Sequence, residues 1–152
     1  MIVQQISPEA TRPIRHLVLW PHIKEEQECV IDIDFQSDAL HLGAFMDDKL
    51  VGVCSLFSQS SSRLSSVRQV RLRAMATHPD YRKLQVGRKL VEKAIAMATE
   101  RGYDVLWCDA RIGAVGFYSR LNFQSFPDVY DVPRIGPHRF MWIELHSAKQ
   151  ND

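Results

Sequence analysis

Gln69 to Val91 reads QVRLRAMATHPDYRKLQVGRKLV, and the change of period inside it decides the fold. Val70, Leu72 and Ala74 alternate with Arg71 and Arg73, the two-residue period of a strand. Pro79 has no N–H to give a ladder and, with Asp80, reads as the tight turn that closes that strand. From Arg82 onward Val86, Leu90, Val91, Ala94, Ile95 and Ala98 recur at helical spacing. A helix that opens beside a strand end leaves its first backbone N–H groups without partners. Together with the positive end of the helix dipole they make an anion site. Arg82, Lys83 and Arg88 add full charge around it, and Gly87 removes a side chain where a ligand would approach. The chemistry fits a pyrophosphate.

Before this stretch, Met1–Ile6 is expected to be an edge strand. Ser7 can cap a helix with Pro8 in its first turn, burying Ile14, Leu17, Val18 and Trp20, and Pro21 ends it. His22 to Asp38 is acidic and reads as a short helix and a mobile loop, in the position of a substrate lid. Leu40–Phe45 and Leu50–Phe57 are strands joined by the turn residues Asp47, Asp48 and Lys49. Ser58–Ser66 is polar and short, a loop within the fold rather than a linker between domains.

After the long helix, Gly102 supplies a stop and Asp104–Asp109 is a short, nearly continuous apolar strand. Ala110–Phe123 gives a loop and a short helix. Two strands follow, around Phe123–Tyr130 and Phe140–His146, with DVPRIGPHR (Asp131–Arg139) as the loop between them. Antiparallel hairpins first and a strand–helix–strand crossover later imply an α/β fold. Its mixed central sheet is flanked by helices, with a parallel central pair.

The chain has 152 residues, 45% of them hydrophobic, which matches a single domain over 1–152. Its 19 basic and 18 acidic residues give a net charge of +1, so neither nucleic acid nor a membrane surface is an expected partner. Cys29, Cys54 and Cys108 are an odd number without ligand spacing, which reads as buried free thiols and no metal site. The N-terminus lacks a basic n-region and a long apolar core, and no apolar run approaches ~18 residues. The expected setting is cytoplasmic. A homodimer is an open expectation.

The strand, the turn and the sequence Arg82 to Gly87 resemble the central motif of the GCN5-related N-acetyltransferases (the GNAT superfamily). Gln85 stands where the motif has its middle glycine, and is expected to keep helical geometry and offer its N–H. FYSRLNF (Phe117–Phe123) resembles the second signature of that superfamily. RLRAMAT (Arg71–Thr77), LWCDAR (Leu106–Arg111), the Gly-Phe-Tyr run and IGPH (Ile135–His138) together resemble one branch, the glyphosate N-acetyltransferase group.

The resemblance implies acetyl-CoA as co-substrate, with direct attack on the thioester by the amine of a small molecule. It implies a cofactor-binding set of Met75, Ala76, Thr77, Arg82, Lys83, Leu84, Gln85, Val86, Gly87, Arg88, Ala114, Phe117 and Tyr118. Within that set, a bulge over Met75–Thr77 would present a backbone N–H to the oxyanion. Gly113 and Gly116 would let the short helix approach the pantetheine. Tyr118 is implied as general acid toward the thiolate and His138 as general base on the amine, with Arg73 and Arg111 lining the substrate pocket.

The residue chemistry agrees. Amines near pKa ~10 arrive protonated, and a histidine near pKa ~6.5 can take that proton at neutral pH. Guanidinium neighbours favour its neutral form. Arg73 and Arg111 can each clamp a carboxylate or phosphonate. The pocket therefore suits a small acidic amine, amino-acid-like or phosphonate-like. Where the group has an arginine before the proline ending the first helix, this chain has Trp20. That exchange removes a cation and weakens a doubly anionic substrate by ~1.5–3 kcal/mol. Two alternatives stand beside this reading. One is a peptide or polyamine N-acetyltransferase, to which the acidic stretch Glu25–Asp38 would suit a cationic substrate. The other is a CoA-binding sensor that has lost catalysis.

Overall fold

The computed structural model describes residues 1–146. The fold is mixed α/β with an open eight-stranded sheet. Strands β1 (Ile2–Ile6), β2 (Leu40–Met46), β3 (Lys49–Phe57), β4 (Gln69–Thr77), β5 (Val105–Arg111), β6 (Gln124–Ser125), β7 (Tyr130–Val132) and β8 (Gly136–Glu144) bond in the order β1-β2-β3-β4-β5-β8-β6, with β7 also on β8. The chain packs as two compact units. Met1–Ser58 and Leu72–Met97 form the first; Gln59–Arg71 and the chain from Ala98 onward form the second. β4 contributes to both.

In the first unit, β1 pairs antiparallel with β2, and β2 with β3, from Leu40↔Leu56 to Met46↔Lys49. Asp47 and Asp48 alone make the turn, both left-handed (φ 49° and 64°), the geometry that matches the twist of a hairpin, and Lys49, expected within the turn, is the first residue of β3. β3 is buried on both faces from Val51 to Phe57. Helix α2 (Val86–Glu100) lies on it through Val86 and Leu90. A Cβ added to Gly52 would stand 2.6 Å from Val86 Cγ1 and 3.0 Å from Leu90 Cδ1. Gly52 is thus the close-approach point that seats the start of α2. The helix buries Val86, Leu90, Val91, Ala94 and Ala98 of the stripe read from the sequence, and its sixth member, Ile95, is half-buried.

The first helical segment differs from expectation. Ala10 N–H does donate to Ser7 Oγ (3.2 Å). The segment then runs as a 3-10 turn (Glu9–Thr11), α1 (Arg12–Ile14) and a π turn (Arg15–Leu19). The wider π turn shifts the phase of the buried face. Ile14 is buried and Val18 and Leu19 pack against the core, but Leu17 is 51% exposed and Arg15 is fully buried in its stead.

Arg15 binds both carboxylate oxygens of Asp34 (2.7 and 2.9 Å), Ser55 Oγ (3.0 Å) and the Cys29 carbonyl (3.2 Å). His41 donates from Nε2 to the Asp34 carbonyl (2.9 Å) and accepts the Ser55 hydroxyl at Nδ1 (2.7 Å), a neutral tautomer that satisfies every partner. Burial keeps His41 below its usual range. Burial would raise the Asp34 carboxyl, but the hydrogen bonds from Arg15 and the Ile31 amide hold it below the usual range. The acidic segment is therefore anchored through Asp34 and the buried Cys29 and Ile31, with one 3-10 turn at Glu26–Glu28, rather than hanging as a loose loop.

β4 carries an irregularity at Ala74 (φ 53°), a left-handed residue within a strand. This left-handed residue lies one position before the stretch Met75–Thr77 where a bulge was expected. The strand ends as read, with His78 N–H bonded to the Val51 carbonyl and a 3-10 turn at Pro79–Tyr81.

In the second unit β4 and β5 are parallel, pairing Gln69↔Val105, Val70↔Leu106 and Arg71↔Trp107. The buried Gln69 carboxamide accepts the Ser61 amide and donates toward the Ser61, Leu64 and Ser66 carbonyls. That explains why the serine-rich connection is ordered. β5 pairs antiparallel with β8 over seven residues, Val105↔Glu144 to Arg111↔His138. The short helix α3 spans Val115–Arg120. Two boundaries are corrected. The strand expected over Phe123–Tyr130 is two short pieces, β6 and β7, both on β8. β8 begins at Gly136, so GPHR is strand rather than loop. Its proline tolerates this because it stands at a strand's start, where a missing N–H costs little.

Gly52→Ala should destabilise the protein by about 1–3 kcal/mol, the cost of overpacking against a stiff β-branched neighbour. A urea titration showing a lower midpoint at unchanged slope checks it.

Candidate active site

The loop Arg82–Gln85 is exposed and basic, and it is not the first turn of the helix as the spacing had implied. α2 starts at Val86. Lys83 and Gln85 are left-handed, at φ 66° and 68°. Left-handed residues interleaved in a turn gather successive N–H groups into a concavity suited to an anion. The Gln85 carbonyl accepts the Lys89 N–H (3.0 Å), the first bond of the helix. Gln85 is thus the hinge into α2, in a conformation that a glycine adopts without strain. The expectation that it keeps helical geometry is corrected. Gly87 is half-buried and Arg88 exposed, the latter beside Glu92 (3.4 Å).

Arg73, Met75, Ala76, Thr77, Trp20 and Arg82–Arg88 all belong to the first unit. The Arg73 guanidinium lies 5.8 Å from the Phe57 ring centroid, and that of Arg15 lies 5.8 Å from the Trp20 ring. Ala76 is buried in the core with Ile14 and Val53, while Met75 and Thr77 are half-buried.

Arg111, Ala114, Phe117, Tyr118 and His138 belong to the second unit. Ala114 closes a 3-10 turn and Phe117 and Tyr118 lie on α3. Tyr118 is buried, edge-on to Phe117 (5.0 Å between centroids) and tilted against Phe123 (5.1 Å). A Cβ on Gly113 would meet nothing within 4 Å.

The register of β5 and β8 brings Arg111 directly opposite His138, and that of β7 brings Tyr130 to its other side. Residues paired across antiparallel strands share a face. One face of this unit therefore carries Arg71, Trp107, Asp109, Arg111, Tyr130, His138 and Phe140. His138 is buried, and its Nδ1–H donates to the Gly136 carbonyl at 2.7 Å. A carbonyl can only accept, so this bond leaves Nε2 as the ring's lone-pair nitrogen. Asp109 accepts Arg71 Nη2 (2.6 Å) on one oxygen and the Tyr130 hydroxyl on the other. Burial first, then the bond to Asp109, pushes the Tyr130 phenol well above its usual range. Beneath these groups Trp107 stacks on Phe140 (5.1 Å) and carries the Arg71 guanidinium at 4.8 Å.

Sequence reading named Arg111 and His138 but missed Asp109, Tyr130 and the engaged state of Arg71. Alternation along LWCDAR puts Trp107, Asp109 and Arg111 on one face, so Asp109 left a signal. Tyr130 left none, since only strand pairing brings it to His138.

The family model "Acetyltransferase (GNAT) family" matches residues 5–123. The chain belongs to this family. The uncharacterized N-acetyltransferase YitI of Bacillus subtilis is 35% identical over 147 residues, 97% of this chain and 98% of that protein. The crystal structure of Escherichia coli ElaA shares the fold at TM-score 0.72 and 19% identity, covering 93% of this chain and 97% of its own. An aminoglycoside 6'-N-acetyltransferase complexed with coenzyme A does so at 0.74 and 17%, covering 95% and 97%. As a GNAT protein this chain is an acyl-CoA-dependent N-acetyltransferase. Among its described residues no group of three or more His, Cys, Asp or Glu is placed to hold a metal ion, and no helix is long and apolar enough to cross a membrane.

Gln85→Gly should raise stability by about 0.5–1 kcal/mol, since it relieves a left-handed side chain that is exposed and loses few contacts. A higher urea midpoint at unchanged slope checks this. An unchanged midpoint would show that the turn holds Gln85 without strain.

Proposed function

We propose that residues 1–152 act as a single N-acetyltransferase domain. It moves the acetyl group of acetyl-CoA to the primary or secondary amine of a small acidic molecule, as the glyphosate N-acetyltransferase group does. The observation that carries the reading is the bond from His138 Nδ1–H to the Gly136 carbonyl, with Arg111 across the strand pair. It supplies an acceptor nitrogen at Nε2 and a cation beside it.

In this reading the exposed loop Arg82–Gln85 and the first N–H groups of α2 hold the pyrophosphate of CoA, aided by Arg88. Lys83, Leu84, Val86 and Gly87 shape that cradle, and Ala114 and Phe117 flank the pantetheine. His138 Nε2 takes a proton from the ammonium. The free amine attacks the thioester carbonyl, and a backbone N–H in Met75–Thr77, next to the Ala74 irregularity, steadies the oxyanion. The C–S bond then breaks, the thiolate takes a proton from the Tyr118 hydroxyl, and the proton still to be lost by the attacking nitrogen returns to the tyrosinate, while His138 gives its proton to solvent. Arg111 and Arg73 hold the acid group of the substrate, and Trp20 gives an apolar wall in place of a further cation. Arg71 is paired with Asp109, so it is not assigned to the substrate. Three buried free thiols fit a reducing, cytoplasmic setting.

Thiol release from acetyl-CoA over a panel of amines tests this. The panel holds carboxy- and phosphono-amines, neutral amino acids, polyamines and a short peptide. Acidic amines should be preferred, and His138→Ala should lower kcat by about 10²–10⁴-fold while CoA affinity stays within about twofold. Preference for polyamines or peptide would reject the acidic substrate, and full turnover in His138→Ala would reject the base. Arg111→Ala should raise the KM of the best acidic amine by about tenfold or more, the loss of one charge-assisted hydrogen bond. An unchanged KM would remove Arg111 from the substrate.

A further inference from the structure

His138 sits at the weak edge of its unit. Its Nδ1 acceptor is the carbonyl of Gly136, the first residue of β8. Gly136 is left-handed (φ 114°) and is paired with Val132 across a tight turn in which Arg134 is also left-handed (φ 69°). The opposite arm of that hairpin, β7, is only three residues long. A hairpin this short has little stability of its own, yet the tautomer of His138 depends on where it places one carbonyl.

What restrains the hairpin is visible. The Tyr130 ring lies nearly parallel to the His138 imidazole, 23° between planes and 6.4 Å between centroids. From there its hydroxyl reaches β5 and donates to Asp109 Oδ1. Asp109 Oδ2 in turn accepts Arg71 Nη2 from β4 at 2.6 Å. Arg71 is itself steadied by the Trp107 ring and by Gln59 Oε1 at 3.4 Å. The charged and titratable groups on the His138 face include Arg111 and Asp109 from β5, Arg71 from β4, Tyr130 from β7 and Arg63, whose guanidinium lies 5.3 Å from the Phe140 ring centroid. β8 is itself paired to β5 as far as His138, so what Tyr130 adds is a tie from β7 to β5, beside the bond from Arg63 to Asp128 two residues before β7.

We infer that Tyr130 is a positioning residue for His138, and that the chain Arg71–Asp109–Tyr130 pins the β7–β8 hairpin so that Gly136 holds the imidazole in the Nδ1–H form. The inference rests on the reading of His138 as the base. It assigns no proton transfer to Tyr130. The phenol remains a donor to Asp109 throughout, and the ring limits how far the imidazole can turn.

Two variants test it. Tyr130→Phe keeps the ring and removes the anchor; Asp109→Asn keeps the side-chain shape and removes the charge that both Arg71 and Tyr130 engage. Both are measured by steady-state kinetics with acetyl-CoA and the best amine of the panel, and by ring ¹⁵N shifts of His138 assigned with His138→Ala. The wild type should show a protonated Nδ1 and an unprotonated Nε2. In Tyr130→Phe the two shifts should move toward each other, and kcat should fall about tenfold while KM for acetyl-CoA stays within about twofold. Asp109→Asn should move the same quantities in the same direction. A smaller folded fraction would also lower apparent kcat at constant KM, so kcat is referred to the folded fraction measured by urea titration, and the ¹⁵N shifts are read on the folded protein. Unchanged ¹⁵N shifts and kcat in both variants, with His138→Ala inactive, would overturn the positioning role and leave the base in place. Full activity in His138→Ala would overturn the base, and with it the consequence for catalysis, while the ¹⁵N shifts would still report whether Tyr130 sets the tautomer.

Discussion

A guanidinium with no exposure to water is the constraint on which the first unit depends. Removing one ion from water costs several kcal/mol unless each of its donors is met, and deleting one partner of such a pair typically costs about 3–5 kcal/mol. The two terminal nitrogens of Arg15 are met by Asp34, Ser55 and the Cys29 carbonyl, while its Nε is buried without a hydrogen-bond partner among the described residues, and His41 closes the network from β2. These partners come from the first helical segment, the acidic segment, β2 and β3. Four stretches far apart in sequence are thereby fixed to one point, and the stretch between Pro21 and Asp38 acquires structure that its own propensities do not provide. Two of its members are held below their usual ranges: burial disfavours charged His41, and at Asp34 the hydrogen bonds from Arg15 and the Ile31 amide outweigh the burial that would raise it. Acid therefore acts on the same point twice.

In the second unit the equivalent constraint is register. Seven pairs between β5 and β8 leave no freedom over which residues share a face. A slip by one residue would turn Asp109, Arg111 and His138 to the opposite face. The continuous aromatic layer of Trp107, Phe140, Phe126 and Trp142 resists that slip, with Phe126 and Trp142 4.5 Å apart. Packing and chemistry thus occupy one surface, so the residues that secure the pairing also support the charged groups above them.

Much of this could be read from the chain because local chemistry and tertiary position agree. The change of period after Thr77, the Asp47–Asp48 turn and the apolar stripe of α2 are local signals, and the packing reinforces them. Three features were illegible for separate reasons. Arg15 is a charged residue on a helical face shared with Thr11 and Val18, and its burial depends on Asp34, 19 residues away, which no local pattern announces. GPHR has the composition of a turn but follows a turn that is complete by Gly136, so His138 is paired. Tyr130 and Asp109 are 21 residues apart and meet through strands on either side of β8. Gln85 is a fourth kind of case: its backbone meets the conformational demand that a glycine usually answers, so the side chain hides the signal.

The three thiols have a practical side. Burial pushes Cys54 up to about 12, raises Cys108 further, and, with Glu26 nearby, raises Cys29 as well. Thiolate is the reactive form, so the native enzyme is close to silent toward sulfhydryl dyes. Each CoA liberated then appears against a blank background, and colour emerging from the protein itself marks molecules that have lost their fold. One reagent in one cuvette therefore reports both turnover and the integrity of the catalyst.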